Sequence, residues 1–586
     1  MLNRPTHLLL GLVLLLCRTA GAEIQPDFLM EVDPAIIPAP KVPVFKLDFK
    51  SLWMQALERP DADLQRMTAE TIAQAHQTGV PDLIETVPLL EKILLTETSH
   101  LTARFAAARA LISLDSRSSA AKLLEATQKY GSELRQLVEP VLAEWDFLPV
   151  RAVWIARLAN SKTRPRDLIL ALRGLGQVHE ESSLPALLKM TSDSILESHL
   201  RLEAATAAGM LVDQGLEGDA ERFMKEPRLR QMIPRHCAVR LLHRHSSTQA
   251  RQLLAELAGD AEPSIAAYAL QRLNAIDPAL VLPLAEPALS NADVYVRTEG
   301  AIAYYRLPTT ERIRSLAPLL ADPHPKLRRL VCQEFVRLSE NPDFLETIRD
   351  ASKNVLAGDR WEGQEQAGLL FGALEYQPVA GRLIELLEST RPEVMISSGW
   401  ALRKLAEPSS IPAMVDKIQR QTAARKLQGK EGIDEQVAHL FEACGRMRAK
   451  EAEPLMFEYV PKALIMGELS RGAAIWALGR LHEGTPDEKT GKALIDRVMD
   501  MGIYPPETER VKQQSIISLA RIKAVEHLPA MRTLIAKETI NRRIDLAIIW
   551  ATEQLTGEVL PPPPIDLISP GNWFLTPLAP AETSAQ

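Results

Sequence analysis

One phrase recurs along most of this chain. It reads Arg104-Phe-Ala-Ala-Ala-Arg-Ala-Leu111, then Arg297-Thr-Glu-Gly-Ala-Ile-Ala-Tyr304, then Arg471-Gly-Ala-Ala-Ile-Trp-Ala-Leu478. A small or apolar residue follows the anchor at three positions, with small or apolar residues again at six and seven. Looser copies start at Arg66, Arg135, Pro165, Arg201, Arg235, Pro263, Arg328, Gln364, Met395, Glu435, Lys512 and Ile544. The anchors run from 66 to 544 at a mean period of about 34 residues, the mark of a stacked-helix solenoid. Within a phrase, offsets 0, +3, +6 and +7 fall at about 0°, 300°, 240° and 340° on a helical wheel, so they share one face. Ala or Gly on that face, as at Ala107, Ala204, Ala238, Gly300, Ala367 and Ala474, lets a partner helix come close. The phrase therefore predicts an all-α chain, a superhelical α-α solenoid of about fifteen helix pairs.

A chain of 586 residues ordinarily implies several domains. A solenoid escapes that count because each repeat contacts only its neighbours. The net charge of −7 supplies no global basic field of the kind that nucleic acid requires.

The first 22 residues read as an export signal. Met1 and Arg4 are basic, Leu8 to Leu16 is a short apolar run, and Ala20-Gly21-Ala22 is a small-x-small cleavage site. The run is shorter than the roughly 20 apolar residues that span a bilayer. Cleavage after Ala22 would place the mature chain in the periplasm or at the cell surface. Lipidation of Cys17 is the weaker alternative, since Leu16 before it is not small. The mature chain keeps Cys237, Cys332 and Cys444, neighbours in sequence being three repeats apart. Helices pack about 8–10 Å apart, so three repeats exceed the roughly 7 Å that a disulfide allows between Cα atoms. Buried single thiols are expected.

Residues 23–50 hold Pro26, Pro34, Pro38, Pro40 and Pro43 and read as an extended arm. The repeat array runs from 51 to 557. Polar stretches lengthen the period at 419–436 and 499–510. Residues 558–586 form a Pro-rich tail, in which Trp573 and Phe574 are expected to dock on the last repeat.

At Leu319-Leu-Ala-Asp322-Pro-His-Pro-Lys-Leu-Arg328 the chain resembles a HEAT repeat, with an Asp ending the first helix and an Arg opening the second. Leu289-Ser-Asn-Ala-Asp293-Val-Tyr-Val-Arg297 is similar. Several units also resemble the Ala-rich PBS-lyase HEAT-like repeats. The resemblance covers about residues 51–557 and implies an α-solenoid that acts as a scaffold or adaptor. Gln364, Met395, Glu435 and Ile544 depart from it by replacing the arginine.

Offset +9 is the most suggestive position. It places Arg244, Arg272, Arg306, Arg337, Lys404, Arg480 and Arg521 at about one per repeat. The plainer explanation is a cation near helix C-terminal carbonyls, worth about 0.3–1 kcal/mol each. The functional one is a positive ladder that follows an acidic protein segment or an anionic polysaccharide. Residues 225–251 form a basic block and 338–393 an acidic stretch, each a solvated face or a patch that orients a partner. Offset +5 is often apolar, as at Leu369, Trp400, Leu440, Trp476 and Ile517. It implies inter-repeat packing, or else a groove for a partner helix. His236 and His243 lie two helical turns apart, about 10 Å, too far to share one ion, and arginines surround them. No nucleophile elbow, phosphate loop or dinucleotide fingerprint is present, so no catalytic residues, metal or cofactor are expected.

The sequence thus predicts a non-catalytic exported scaffold for protein partners. The alternatives are anionic polysaccharide binding and, by analogy with the lyases, handling of a chromophore.

Overall fold

The computed structural model describes residues 24–36, 41–43, 48–226, 232–429, 433–502, 506–535, 543–561, 566–568 and 574–575. The expected signal peptide, Cys17, Pro38, Pro40, Arg228, Arg230 and Trp573 lie outside them. Among the described residues the chain is built of antiparallel helix pairs, and every anchor falls within the first five residues of the second helix of a pair. Several of those helices begin with proline at the first turn, as at Pro165, Pro263, Pro325 and Pro392. There the missing N–H costs nothing and the fixed φ is helical. No helix of the described residues is long and apolar enough to cross a membrane.

The anchor arginine has a specific task. The last carbonyls of a helix have no partner within it, and the anchor of the second helix supplies one to the end of the first. Arg104 donates to the Leu94 and Thr96 carbonyls at 3.0 and 2.9 Å. Arg201 donates to Thr191 at 3.0 Å, and Arg471 to Tyr459 and Val460, both at 3.2 Å. These side chains are buried, so the fork of donors closes a helix end that water cannot reach. Gln364 is a departure in sequence but not in function: its Nε2 donates to the Gly358 carbonyl at 2.8 Å. The small residues at +3 meet the neighbouring helix. Ala107, Ala204, Ala238, Ala367 and Ala474 have no exposed surface. A Cβ on Gly300 would stand 3.1 Å from the Ala288 Cβ and 3.2 Å from the Ala285 carbonyl.

The chain divides into two compact units. The first comprises Lys41–Gly300 with Leu567–Gln586. Its buried Trp53 donates an indole N–H to the Phe574 carbonyl at 2.9 Å, and Leu575 packs on the same core. The tail therefore meets helix Asp48–Glu58 of the first pair, which corrects the expectation that it docks on the last. A buried indole N–H needs an acceptor, and the tail provides one. Strand β1 (Lys41–Pro43) pairs with β2 (Asp566–Ile568).

The second unit comprises Met1–Pro40 with Ala301–Asp566. Its described N-terminal residues, 24–36, are non-helical except for one helical turn, α1 (Leu29–Val32), in the proline-free stretch between Pro26 and Pro34. The segment lies on successive second helices: α2 (Pro392–Leu405), α3 (Asp434–Arg446), α4 (Glu468–Leu481), α5 (Glu509–Arg521) and α6 (Arg543–Thr556). Met30 belongs to the same core as Trp476 and Phe441.

Cys237, Cys332 and Cys444 are unpaired and buried. Burial pushes their thiols up, Cys237 to about 11 and the other two to about 12. They pack as small hydrophobes.

Candidate functional site

The +9 residues do not form one uniform row. Arg244 donates to the Met210 carbonyl at 3.0 Å, Arg272 to His245 at 3.5 Å and Arg337 to Tyr305 at 3.4 Å. Each acceptor lies at or just past the end of the second helix of the preceding repeat. These arginines therefore meet helix-end carbonyls, as the plainer explanation has it, but those of the neighbouring helix. Lys404 pairs with Glu375 at 3.4 Å and Arg480 with Glu483 at 3.2 Å. Arg306 is exposed. Arg521 alone of the seven reaches the N-terminal segment. Its Nη2 stands 3.0 Å from the Asp33 carbonyl and 2.9 Å from the Asp33 carboxylate.

In the basic block, Arg235 is held by Asp260 and Lys225 by Glu221. His243 bonds Tyr268 at 2.6 Å. Among the described residues no group of His, Cys, Asp and Glu is arranged to hold a metal ion.

Arg521 is one part of a larger arrangement that holds residues 24–36. On α2, Trp400 Nε1 and Arg403 Nη2 donate to the Asp27 carboxylate at 2.8 and 2.5 Å. On α3, the His439 ring stacks on Phe28 with centroids 4.6 Å apart and planes 13° from parallel. Glu442 accepts the Met30 N–H at 2.9 Å and also takes Arg403 Nη1 at 2.9 Å. On α4, Trp476 Nε1 donates to the Asp33 carbonyl at 2.9 Å. On α5, Gln514 Nε2 donates to the Met30 carbonyl at 2.8 Å, and Arg510 Nε to Glu31 at 2.7 Å. From α6, Arg543 completes the Glu31 pair at 2.8 Å.

The tryptophans sit where they do because the preceding helix is thin beneath them. A Cβ on Gly445 of α3 would stand 2.7 Å from the Trp476 ring, and one on Gly372 would overlap the Trp400 ring. Glycine at those positions lets each indole lie against helix backbone, with its N–H directed at the segment. The tryptophans at +5 thus pack between repeats, and through their N–H groups they also hold residues 24–36.

Charge follows the same plan. Arg403, Arg510, Arg521 and Arg543 face Asp27, Glu31 and Asp33. Burial works to raise the Asp27 carboxyl, but the Trp400 hydrogen bond and the Arg403 charge outweigh it and hold the group below its ordinary range. Burial holds His439 below the usual histidine value, against the pull of Glu442.

Arg403, His439, Glu442, Gln514, Arg510 and Arg543 were not singled out by the repeat pattern. They occupy different offsets in different repeats. The available signal was polarity in the wrong place: His439 and Glu442 lie inside α3, a helix whose central residues are all buried.

Solved structures with a similar fold include importin-β-type chains. A Kap95p chain, from a structure describing its binding to RanGDP, matches with a TM-score of 0.51 at 11% identity over 87% of this chain and 72% of that one. A Kap95 chain from a Kap95:Nup1 complex gives 0.48 at 12% identity over 87% and 73%. Yeast importin-β (Kap95p) gives 0.44 at 12% identity over 88% and 73%. At such identities the likeness is one of fold. The chain is a HEAT-repeat α-solenoid. No protein-family model matches the sequence, and no curated protein matches it.

Proposed function

We propose that this chain is an exported, non-catalytic scaffold that binds protein partners along its row of second helices. One observation carries the reading. The α2–α6 face already holds a short polypeptide segment, one helical turn with non-helical flanks, and it does so through main-chain hydrogen bonds at Met30 and Asp33. A surface that satisfies main-chain groups of a bound segment recognises polypeptide as such. The Kap95p chain of similar fold binds RanGDP, in keeping with a solenoid that serves protein partners. The export reading rests on the n-region, apolar run and Ala20-Gly21-Ala22 site of the first 22 residues.

Crosslinking with mass spectrometry in the native cell envelope tests both parts. The expected result is a recurring protein partner linked to residues of the second helices. A chain found only in the cytosol sinks the export reading. A chain in the envelope without protein crosslinks sinks the scaffold reading.

A further inference from the structure

We propose that residues 24–36 are an exchangeable occupant, and that the α2–α6 face is a docking site for a short acidic segment of another protein that makes the same single helical turn. The proposal rests on the scaffold reading above and adds the partner's chemistry and the segment it displaces.

The contacts divide by what they recognise. Glu442 and Gln514 clamp the N–H and the carbonyl of one residue, Met30, at 2.9 and 2.8 Å. Trp476 and Arg521 both donate to the carbonyl of Asp33. None of these four bonds depends on which side chain the segment carries, so they are open to any segment that makes the same turn in the same register. The side-chain contacts then ask for acids. Arginines meet carboxylates at positions 27, 31 and 33. A stacking ring at 28 and a slim apolar residue at 30 fill the remaining places. A fitting partner is a segment that makes the same turn and carries an acid, an aromatic residue beside it, an apolar residue two positions further on and a second acid next to that.

The two sides differ in how firmly they are built. On the host side Glu442, His439 and Gln514 have no exposed surface and Arg403 has almost none. On the segment side only Met30 is buried, while Val32 is 56% exposed and the Asp27 side chain 60% exposed. These host side chains are buried beneath the segment, whose own outer side is open to solvent. Buried polar groups left without partners are costly, so a face of this composition favours occupation. A segment of matching chemistry from outside meets the same need.

The test uses the full chain with Met30→Asp, which places a charge where only a buried thioether fits and so drives the segment off. The probe is a fluorescent peptide of sequence 24–36. The expected result is binding at least about tenfold tighter to the variant than to the unaltered chain, because the resident segment no longer competes. A scrambled peptide, and one with Asn and Gln at 27, 31 and 33, should bind at least about tenfold more weakly than the native peptide. A second full-length variant, Asp27→Ala with Glu31→Ala and Asp33→Ala, should show the same gain. Failure of both variants to take up the peptide overturns the proposal. So does a variant that only exchanges segments with a second copy, seen as a dimer by mass without peptide uptake. If peptide binding fails while envelope crosslinks to proteins persist, the exchange idea falls and the scaffold reading stands.

Discussion

Glu442 accepts the backbone N–H of Met30 at 2.9 Å, across 412 residues of chain. The carboxylate is completely buried and shares its charge with Arg403 at 2.9 Å. An acid in the buried middle of α3 therefore serves two elements at once: the neighbouring second helix and the start of the described chain. The repeat builds the host, and residues that break the repeat build the site.

Removing Arg403 should be severe. Its loss leaves Glu442 buried beside a neutral His439, with only the Met30 N–H as a strong donor. Breaking one side of a buried pair costs about 3–5 kcal/mol. Arg403→Ala should lower the stability of the α2–α4 region by that order, read by hydrogen exchange of α3. An effect under about 1 kcal/mol would mean that the pair is open to water.

Gly445→Ala tests whether the glycine sets the tryptophan. The new methyl would meet the Trp476 ring at 2.7 Å and the Ala477 Cα at 2.8 Å, and the backbone atom cannot swing aside. The expected outcome is a shifted Trp476, loss of its bond to Asp33 and a protease-sensitive N-terminal segment. Overpacking of this kind costs about 1–3 kcal/mol. Unchanged protease resistance would separate the glycine from the segment.

The anchors should rank by charge. Arg471 closes the Tyr459 and Val460 carbonyls and forms a two-point ion pair with the buried Glu507 at 2.8 and 2.7 Å. Arg471→Ala should cost about 3–5 kcal/mol, since it leaves the buried acid with only the longer Arg497 contact at 3.3 Å as its charge partner. Gln364→Ala removes one amide–carbonyl bond and should cost about 1 kcal/mol. Denaturant unfolding of the two variants checks the order. Equal losses would contradict the role given to Glu507.

Acidification should loosen the segment in two stages. Burial holds His439 low, Glu442 and Asp27 oppose that, and the Arg403 charge reinforces it. The unfolded histidine takes its proton first, so stability is full above about pH 6.5 and declines as pH falls below it. Asp27, held low, contributes stability above about pH 3.9 that is lost as pH falls through its lowered value. Segment release, followed by limited proteolysis, should therefore begin in the histidine range. His439→Phe keeps a ring against Phe28 and should flatten the profile down to the carboxylate range. An unaltered profile in that variant would assign the first stage elsewhere.

The helix pairs were legible in the sequence because their determinants are local. An anchor, a small residue three positions on and a turn signal all lie within one repeat. Gln364 shows the limit of reading residue type alone, since an amide fills the arginine's place. The candidate site was legible only in part. Arg521 and the tryptophans at +5 stand at repeating offsets, but His439, Glu442 and Gln514 do not. Their partner lies more than 400 residues away, and no periodicity links the two. The tail shows the same thing from the other end. Phe574 meets Trp53 across 521 residues, a pairing set by an indole that needs an acceptor.

The docked segment is tested most directly by the exchange rate of a single amide. Hydrogen exchange of the Met30 N–H, resolved at that residue, should be strongly slowed in the unaltered chain and restored towards the free-chain rate in Glu442→Ala, which removes its acceptor. A Met30 amide that exchanges at the free-chain rate in the unaltered protein would contradict the docked segment and the face built to hold it.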